Sequence, residues 1–346
     1  MTYLFKEYLA LVKRSPFQGL LTLAGFLFCL SLIIPVIDWA LINADFIGES
    51  RDDCQSGGAC WVFIYQRFTQ FLVGFYPVEQ VFRPLASIAV LILGLVPYLW
   101  LNCPGRVRLM LYSFVLTPLI SWILLDGRII GLEYVETAKW GGLLLTILIS
   151  TVGIFTSFPL GIVLALGRQS KMPVIRSICV AFIELWRGVP LITVLFMASV
   201  MLPLFFPSGF EVNKLARCLI GVSLFTSAYM AEVIRGGIAS VSKGQLEAAR
   251  ALNLNYFQSM RLVVLPQAIR RVIPGIVNTF IGLFKDTSLV LIISMFDLLG
   301  MVQAASTDPD WLGYSLEGYI FAGLIFWIFC FSMSRYSLRI EKRIAY

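Results

Sequence analysis

The chain has 346 residues, of which 59% are apolar and only 14% charged, with a formal net charge of +7. That balance excludes an ordinary soluble domain and places the chain in a bilayer, where basic residues report the cytoplasmic side. It contains no histidine, no Cys-x-x-Cys pair among its seven cysteines and no glycine-rich phosphate loop ending in Gly-Lys-Ser/Thr, so a metal site or a bound cofactor has no support, and any ATP used must bind another chain.

Residues 1–16 set Lys6, Lys13 and Arg14 against Glu7 and lead into an apolar run from Phe17 to Ile37. The run is long for a signal peptide and no small-residue cleavage site follows, so it reads as an uncleaved first span with the amino terminus inside. Asp38 to Pro84 carries six acidic residues against three arginines, which suits the outer side. Within it Cys54 and Cys60 flank a flexible Gln-Ser-Gly-Gly-Ala, and an oxidising compartment there predicts a disulfide, with two free thiols as the alternative. From Trp61 to Phe75 apolar residues recur with a roughly helical period, predicting a short helix in the membrane interface.

Leu85 to Leu101 forms the second predicted span, followed by a basic inner loop with Arg106 and Arg108, and Leu109 to Leu125 the third. The fourth follows Trp140-Gly141-Gly142 and runs from Leu143 to Leu166 across Pro159, ending at basic residues that include Arg168. A fifth span, about Ile178 to Phe206, carries Glu184 and Arg187 ahead of Gly188-Val189-Pro190. The sixth is Leu215 to Ala231 and the seventh Val272 to Ser294, with Lys285 and Asp286 inside it. An acidic outer loop holding a short helix at Leu298–Ser306 leads to the eighth, Tyr319 to Met333, which closes on Arg335, Arg339, Lys342 and Arg343. The reading is an all-α polytopic membrane protein with about eight transmembrane helices and both termini cytoplasmic. One weak exception to the charge rule is Lys214 and Arg217, beside Glu211 on the outer side.

Between the sixth and seventh spans lies a polar, helix-patterned cytoplasmic segment. Ser242 with Gln245 and Asn255 with Gln258 have the spacing of capping boxes. The first predicted helix runs from Gln245 to Leu252 and stops at Asn253, which tolerates a left-handed backbone. The second carries Phe257, Met260, Arg261 and Val264 and ends before Pro266. Glu247-Ala248-Ala249, the turn at Asn253, and Leu265-Pro266 resemble the EAA loop of permease subunits of ATP-binding cassette (ABC) importers. Gly244-Gln245 ahead, with Leu265-Pro266-Gln267-Ala268, Pro274, Asn278 and Lys285-Asp286-Thr287-Ser288-Leu289 behind, resemble its polar amino acid branch. Asn253 stands where that family usually has Gly, and both residues serve the same backbone geometry.

The resemblance covers Trp140 to the end and implies a type I importer core of five helices at 140–346, with a coupling loop at about 236–271. Residues 1–139, with three helices and an outer loop, are an extension similar to the M-type permease subunit of general L-amino acid importers of Gram-negative bacteria. It further implies a multi-pass protein of the bacterial inner membrane that is not itself an enzyme and binds no nucleic acid. Its partners would be two ATPase subunits holding ATP and Mg, an external amino acid binding protein, and a second permease, with a different chain preferred over an identical copy. Gly244, Gln245, Glu247, Ala248, Ala249, Arg250, Leu252 and Asn253 would then form the contact with the ATPase. The small alanines permit close approach of another surface, and Glu247 and Arg250, three apart, share a face.

Ionisable residues at membrane depth are costly and are by default paired or functional. Glu184 and Arg187 share a helix face, whereas Lys285 and Asp286 are adjacent and cannot both point that way. Two readings stay open for these four: a charge-neutral network between helices, or a cavity wall meeting the ammonium and carboxylate of an amino acid, with Thr287 and Ser288 as further donors. Glu232 and Arg235, at the inner end of the sixth span, suit a gate or a packing contact. An ion-gradient-driven secondary amino acid transporter is the alternative function, but it would show repeated halves, and none is visible. A membrane transferase lacks carriers for its chemistry.

Overall fold

A computed structural model describes residues 15–99, 106–207 and 212–344. Lys6, Glu7, Lys13, Arg14 and Glu211 lie outside them, as do the side chains of Arg106 and Arg343. Among the described residues five stretches are long and apolar enough to cross a membrane: Phe17–Ile42, Gly142–Arg168, Lys214–Ser240, Tyr256–Ile293 and Ser315–Lys342. A bent helix pair, Pro173–Gly188 with Leu191–Val200, makes six if it is taken as one span, and shorter apolar helices, Phe82–Gly94 and Val115–Asp126, stand at the second and third predicted spans. The all-α class and the number of about eight hold on this count.

Two compact units emerge, Met1–Arg67 with Ala305–Gly318, and Phe68–Ala304 with Tyr319–Tyr346. In the first unit, helix α1 (Pro16–Ile37) starts with a proline where the missing N–H costs nothing, behind Ser15, which accepts from the Gln18 amide. It continues through a wide turn, Asp38–Ile42, and no part of its apolar window is buried within the chain, as befits a helix facing lipid. Beyond it Asp45 accepts at its carbonyl from Trp61 N and donates its own amide to Ala59 O, both at 2.8 Å. Cys54 and Cys60 are joined in a disulfide with Cα atoms 5.6 Å apart. The Ser50 and Glu49 amides hold the Asp53 carboxyl below the usual range. Cys60 N donates to Glu317 Oε1 at 3.1 Å, and Arg67 pairs with Asp308 at 2.5 Å.

The predicted interfacial helix is corrected. The stretch forms two short helices, α2 (Val62–Gln66) and α3 (Phe68–Val73), because Arg67 between them leaves helical geometry and resets the phase. Val62, Phe63 and Val73, which blurred the expected period, are buried, whereas Tyr65, Phe68 and Phe75 are exposed.

In the second unit, α4 (Phe82–Leu99) packs on α5 (Arg106–Asp126), so Arg106 and Arg108 open a helix where a loop was expected. Arg83, buried at the start of α4, donates to the carbonyls of Leu124 and Leu125, closing the orphan acceptors at the end of α5. Helix α6 (Gly142–Arg168) is the centre: residues 141–150 are buried on every side. Its start explains the Trp-Gly-Gly string. Gly142 has φ +64°, and a Cβ there would lie 2.3 Å from Phe71 O, so only glycine fits.

The predicted fifth span is also corrected. It consists of α7 (Pro173–Gly188) and α8 (Leu191–Val200), bent by 104°. Pro190 disfavours helix at Val189 and lacks an N–H, so the apolar run breaks there. Helix α9 (Lys214–Ser240) packs along α6, close enough at Gly161 that a Cβ would meet Met230 Cγ at 2.6 Å. After α9 come α10 (Lys243–Ala251), α11 (Tyr256–Ser259), a wide turn at Met260–Val264 and α12 (Leu265–Asp286).

The second predicted helix ends before Pro266, but already at Ser259: Met260, Arg261 and Val264 fall in the wide turn. Proline sits within the first two positions of α12, where it needs no donor, and the wide turn ahead absorbs its ring. The chain then tightens at Thr287–Ile293, turns at Ser294 with φ +55°, and forms α13 (Leu298–Ser306) and α14 (Ser315–Ile344).

Candidate functional site

The segment between α9 and α12, where the ATPase contact is expected, is built from its turns and caps. Ser242 makes no side-chain cap; the expected box fails because Gln245 is engaged elsewhere, its Oε1 accepting from Gln267 Nε2 at 3.0 Å. That bond ties α10 to the start of α12. At the other end Asn253 has φ +58°, its amide donates to Arg250 O at 2.9 Å and the Leu254 amide donates to Ala249 O at 3.1 Å. This is the paired hydrogen-bond pattern that closes a helix on a left-handed residue. Asn255 and Gln258 then cap α11 reciprocally, at 2.8 and 3.0 Å.

The two alanines part company. Ala249 is 2% exposed, packed in the chain itself, while Ala248, Gly244, Glu247 and Arg250 are exposed. Among the described residues Glu247 and Arg250 form no ion pair. The tip presents Leu252, Tyr256 and Phe257, with 76, 59 and 69% of their surface exposed. These exposed apolar side chains lie close together in sequence on an otherwise polar segment.

The second constellation centres on Glu232. Its Oε1 accepts from Arg168 Nη1 at 2.9 Å, and its Oε2 lies 3.1 Å from Arg235 and 3.6 Å from Arg187. Arg168 also reaches Glu184 at 3.0 Å, and Arg187 stands over the Tyr229 ring, 5.7 Å from its centroid. Five charges from α6, α7 and α9 thus share one network. Glu184 and Arg187 do not pair with each other; each bonds across to another helix. Arg168 escaped the sequence reading, which left it in a loop. The available signal was a cation closing one apolar helix where two neighbours carry acids near their own inner ends.

Lys285 and Asp286 stay apart from this network: among the described residues neither forms an ion pair. A single network of the four intramembrane charges is therefore not formed. Lys285 is exposed and Asp286 half-buried. The Thr287 and Ser288 hydroxyls donate to the carbonyls of Phe284 and Lys285, at 2.8 and 2.9 Å, which leaves their lone pairs, and not their protons, for any other partner. No group of metal-ligating side chains occurs among the described residues.

Residues 157–346 match the family described as the binding-protein-dependent transport system inner membrane component. The chain belongs to this family. The "Inner membrane amino-acid ABC transporter permease protein YhdY" of Escherichia coli (strain K12) is 54% identical over 94% of this chain and 89% of its own length. The "Glutamate/glutamine/aspartate/asparagine transport system permease protein BztC" of Rhodobacter capsulatus is 38% identical over 95% of this chain and 91% of its own. A solved structure titled "Crystal structure of an amino acid ABC transporter with histidines" superposes with a TM-score of 0.52 at 29% identity, over 58% of this chain and 92% of that one. This ABC importer permease is a multi-pass membrane component, with no catalytic step of its own.

Proposed function

We propose that this permease carries L-amino acids inward across the bacterial inner membrane. In this reading it is driven by ATP and Mg held on two partner ATPase subunits, fed by an external binding protein, and completed by a second permease, a different chain in preference to a copy. The observation that carries the coupling part is the exposed apolar tip at Leu252, Tyr256 and Phe257 beside exposed Ala248. A cleft on an ATPase would cover it, so that closure of the nucleotide subunits pulls on α9 and α12 at once. The amino acid substrate is supported by the names of the relatives. Both termini face the cytoplasm on the charge rule, and the five-helix core starts at 140 behind a three-helix extension.

The path wall is assigned to α12. Arg271, Pro274, Asn278 and Lys285 are exposed at spacings of three, four and seven, a polar stripe that lipid would penalise and a second permease or the path would accept. The Glu232 network, with Arg168 and Arg235, acts as an inner gate holding α6, α7 and α9 together. The test is uptake of radiolabelled L-glutamate and L-glutamine into proteoliposomes holding the whole complex, with external binding protein. Uptake that needs enclosed ATP is expected. Uptake driven by a proton or sodium gradient without ATP would instead establish the secondary-transporter alternative.

A further inference from the structure

Helix α14 is 30 residues long, about 45 Å at the usual helical rise, whereas a hydrocarbon core is about 30 Å thick. One end therefore stands clear of the bilayer interior, and the cations lie there. Leu324, Ile328, Phe331, Arg335, Arg339 and Lys342 follow one another at intervals of three and four, which sets them on one face, and all six are exposed. The opposite face is the packed one. Ala322 and Ser337 are buried, and the Phe326 and Phe329 rings meet that of Phe284 on α12 at 5.4 and 5.1 Å.

The exposed face is apolar at membrane depth and becomes basic without a change of direction. Phe331 stacks on Trp327 with centroids 5.0 Å apart, and the Arg335 guanidinium lies 5.9 Å from the Phe331 centroid. Such an aromatic column ending in a cation suits the level where acyl chains meet headgroups. Contacts within the chain do not account for the cations: among the described residues Arg335, Arg339 and Lys342 form no ion pair, and the nearby acid, Glu341, points about 100° away from Lys342 around the helix. The helix dipole accounts for Lys342 alone, since its pull is confined to the last turn and Arg335 and Arg339 stand further in. Cations at the end of a lipid-facing stripe are answered by the anions of the membrane surface itself.

We propose that this face of α14 binds an anionic phospholipid, with the phosphate on Arg335, Arg339 and Lys342 and the acyl chains along Leu324, Ile328 and Phe331. On the charge rule the lipid belongs to the inner leaflet. It anchors the helix against which the Phe284 end of α12 packs. The proposal needs α14 to cross the bilayer; it does not rest on the importer reading.

The test titrates phosphatidylglycerol into the detergent-purified complex and counts bound lipid by native mass spectrometry. Replacing Arg335→Gln together with Arg339→Gln is expected to weaken the tightest lipid by roughly thirtyfold, the attraction of two basic residues to an anionic surface. Arg335→Lys with Arg339→Lys keeps the charges and is expected to keep the lipid. Lys171→Gln with Arg176→Gln removes two exposed cations near the start of α7 and is expected to leave the affinity unchanged. Equal weakening by both glutamine pairs would reduce the effect to general surface charge and overturn the proposal, as would an unchanged affinity in the α14 pair. Phosphatidylcholine bound as tightly as phosphatidylglycerol by the unaltered protein would also overturn it, and that comparison stands even if a variant fails to fold. Loss of a protein subunit from the α14 glutamine pair, with lipid binding intact, would assign this face to a protein partner instead.

Discussion

Glu232 answers cations from three helices with a single carboxylate. Neutralising it while keeping its shape, Glu232→Gln, leaves Arg168, Arg187 and Arg235 facing one another. The expected cost is about 1–3 kcal/mol, the worth of charged hydrogen bonds that are partly screened by water, read as a lower melting temperature of the purified complex, with leakier uptake. An unaltered melt would remove the network from the account. Asp297 is fully buried, with Oδ1 accepting from the Gly300 amide at 2.9 Å and Oδ2 unpartnered. Burial pushes its carboxyl up to about 6, against the pull of the Gly300 and Leu299 amides. The folded state therefore holds this proton more tightly than the unfolded chain between about pH 4 and about pH 6, so its contribution to stability falls as pH rises through that window. Asp297→Asn keeps the amide bond and is expected to flatten that part of the melting curve against pH. At Asn253 the left-handed backbone makes Asn253→Gly neutral and Asn253→Val costly by roughly 1–2 kcal/mol, measurable as a drop in melting temperature for valine alone.

Among the elements, the long ones were legible because periodicity and hydropathy extend over twenty residues: α1, α6, α9 and α14 lie where the apolar runs placed them, and α13 spans Leu298–Ser306 as read. Failures cluster where a local competitor decides. Pro190 bends the fifth run by 104°, and a wide turn at Met260–Val264 replaces helix ahead of Pro266, which opens α12. Gln245 abandons Ser242 for Gln267, a partner 22 positions away that no local pattern reports. For the site the same rule holds. The turn at Asn253 and the Asn255–Gln258 cap were legible because their residues are contiguous, whereas the Glu232 network joins three separate helices and its Arg168 carried no motif.

At the scale of the whole molecule, the proposed ATPase contact and the proposed path wall belong to the same unit. Tyr256 and Phe257 of the tip lie on α11, which leads through the wide turn into α12, whose far end carries Lys285 and Asp286; in the proposed coupling this is the route from the tip to the polar stripe. Ala248 and Ala249 separate this role from mere folding, since one faces outward and the other is packed within the chain. The decisive measurement is ATP hydrolysis by the purified complex, with and without external binding protein, for Glu247→Lys combined with Ala248→Trp. The account predicts a permease that melts like the unaltered protein but loses both its co-purified ATPase and the stimulation by binding protein, while Ala249→Trp lowers the melting temperature itself. Stimulated hydrolysis left unchanged in the double variant would contradict the account.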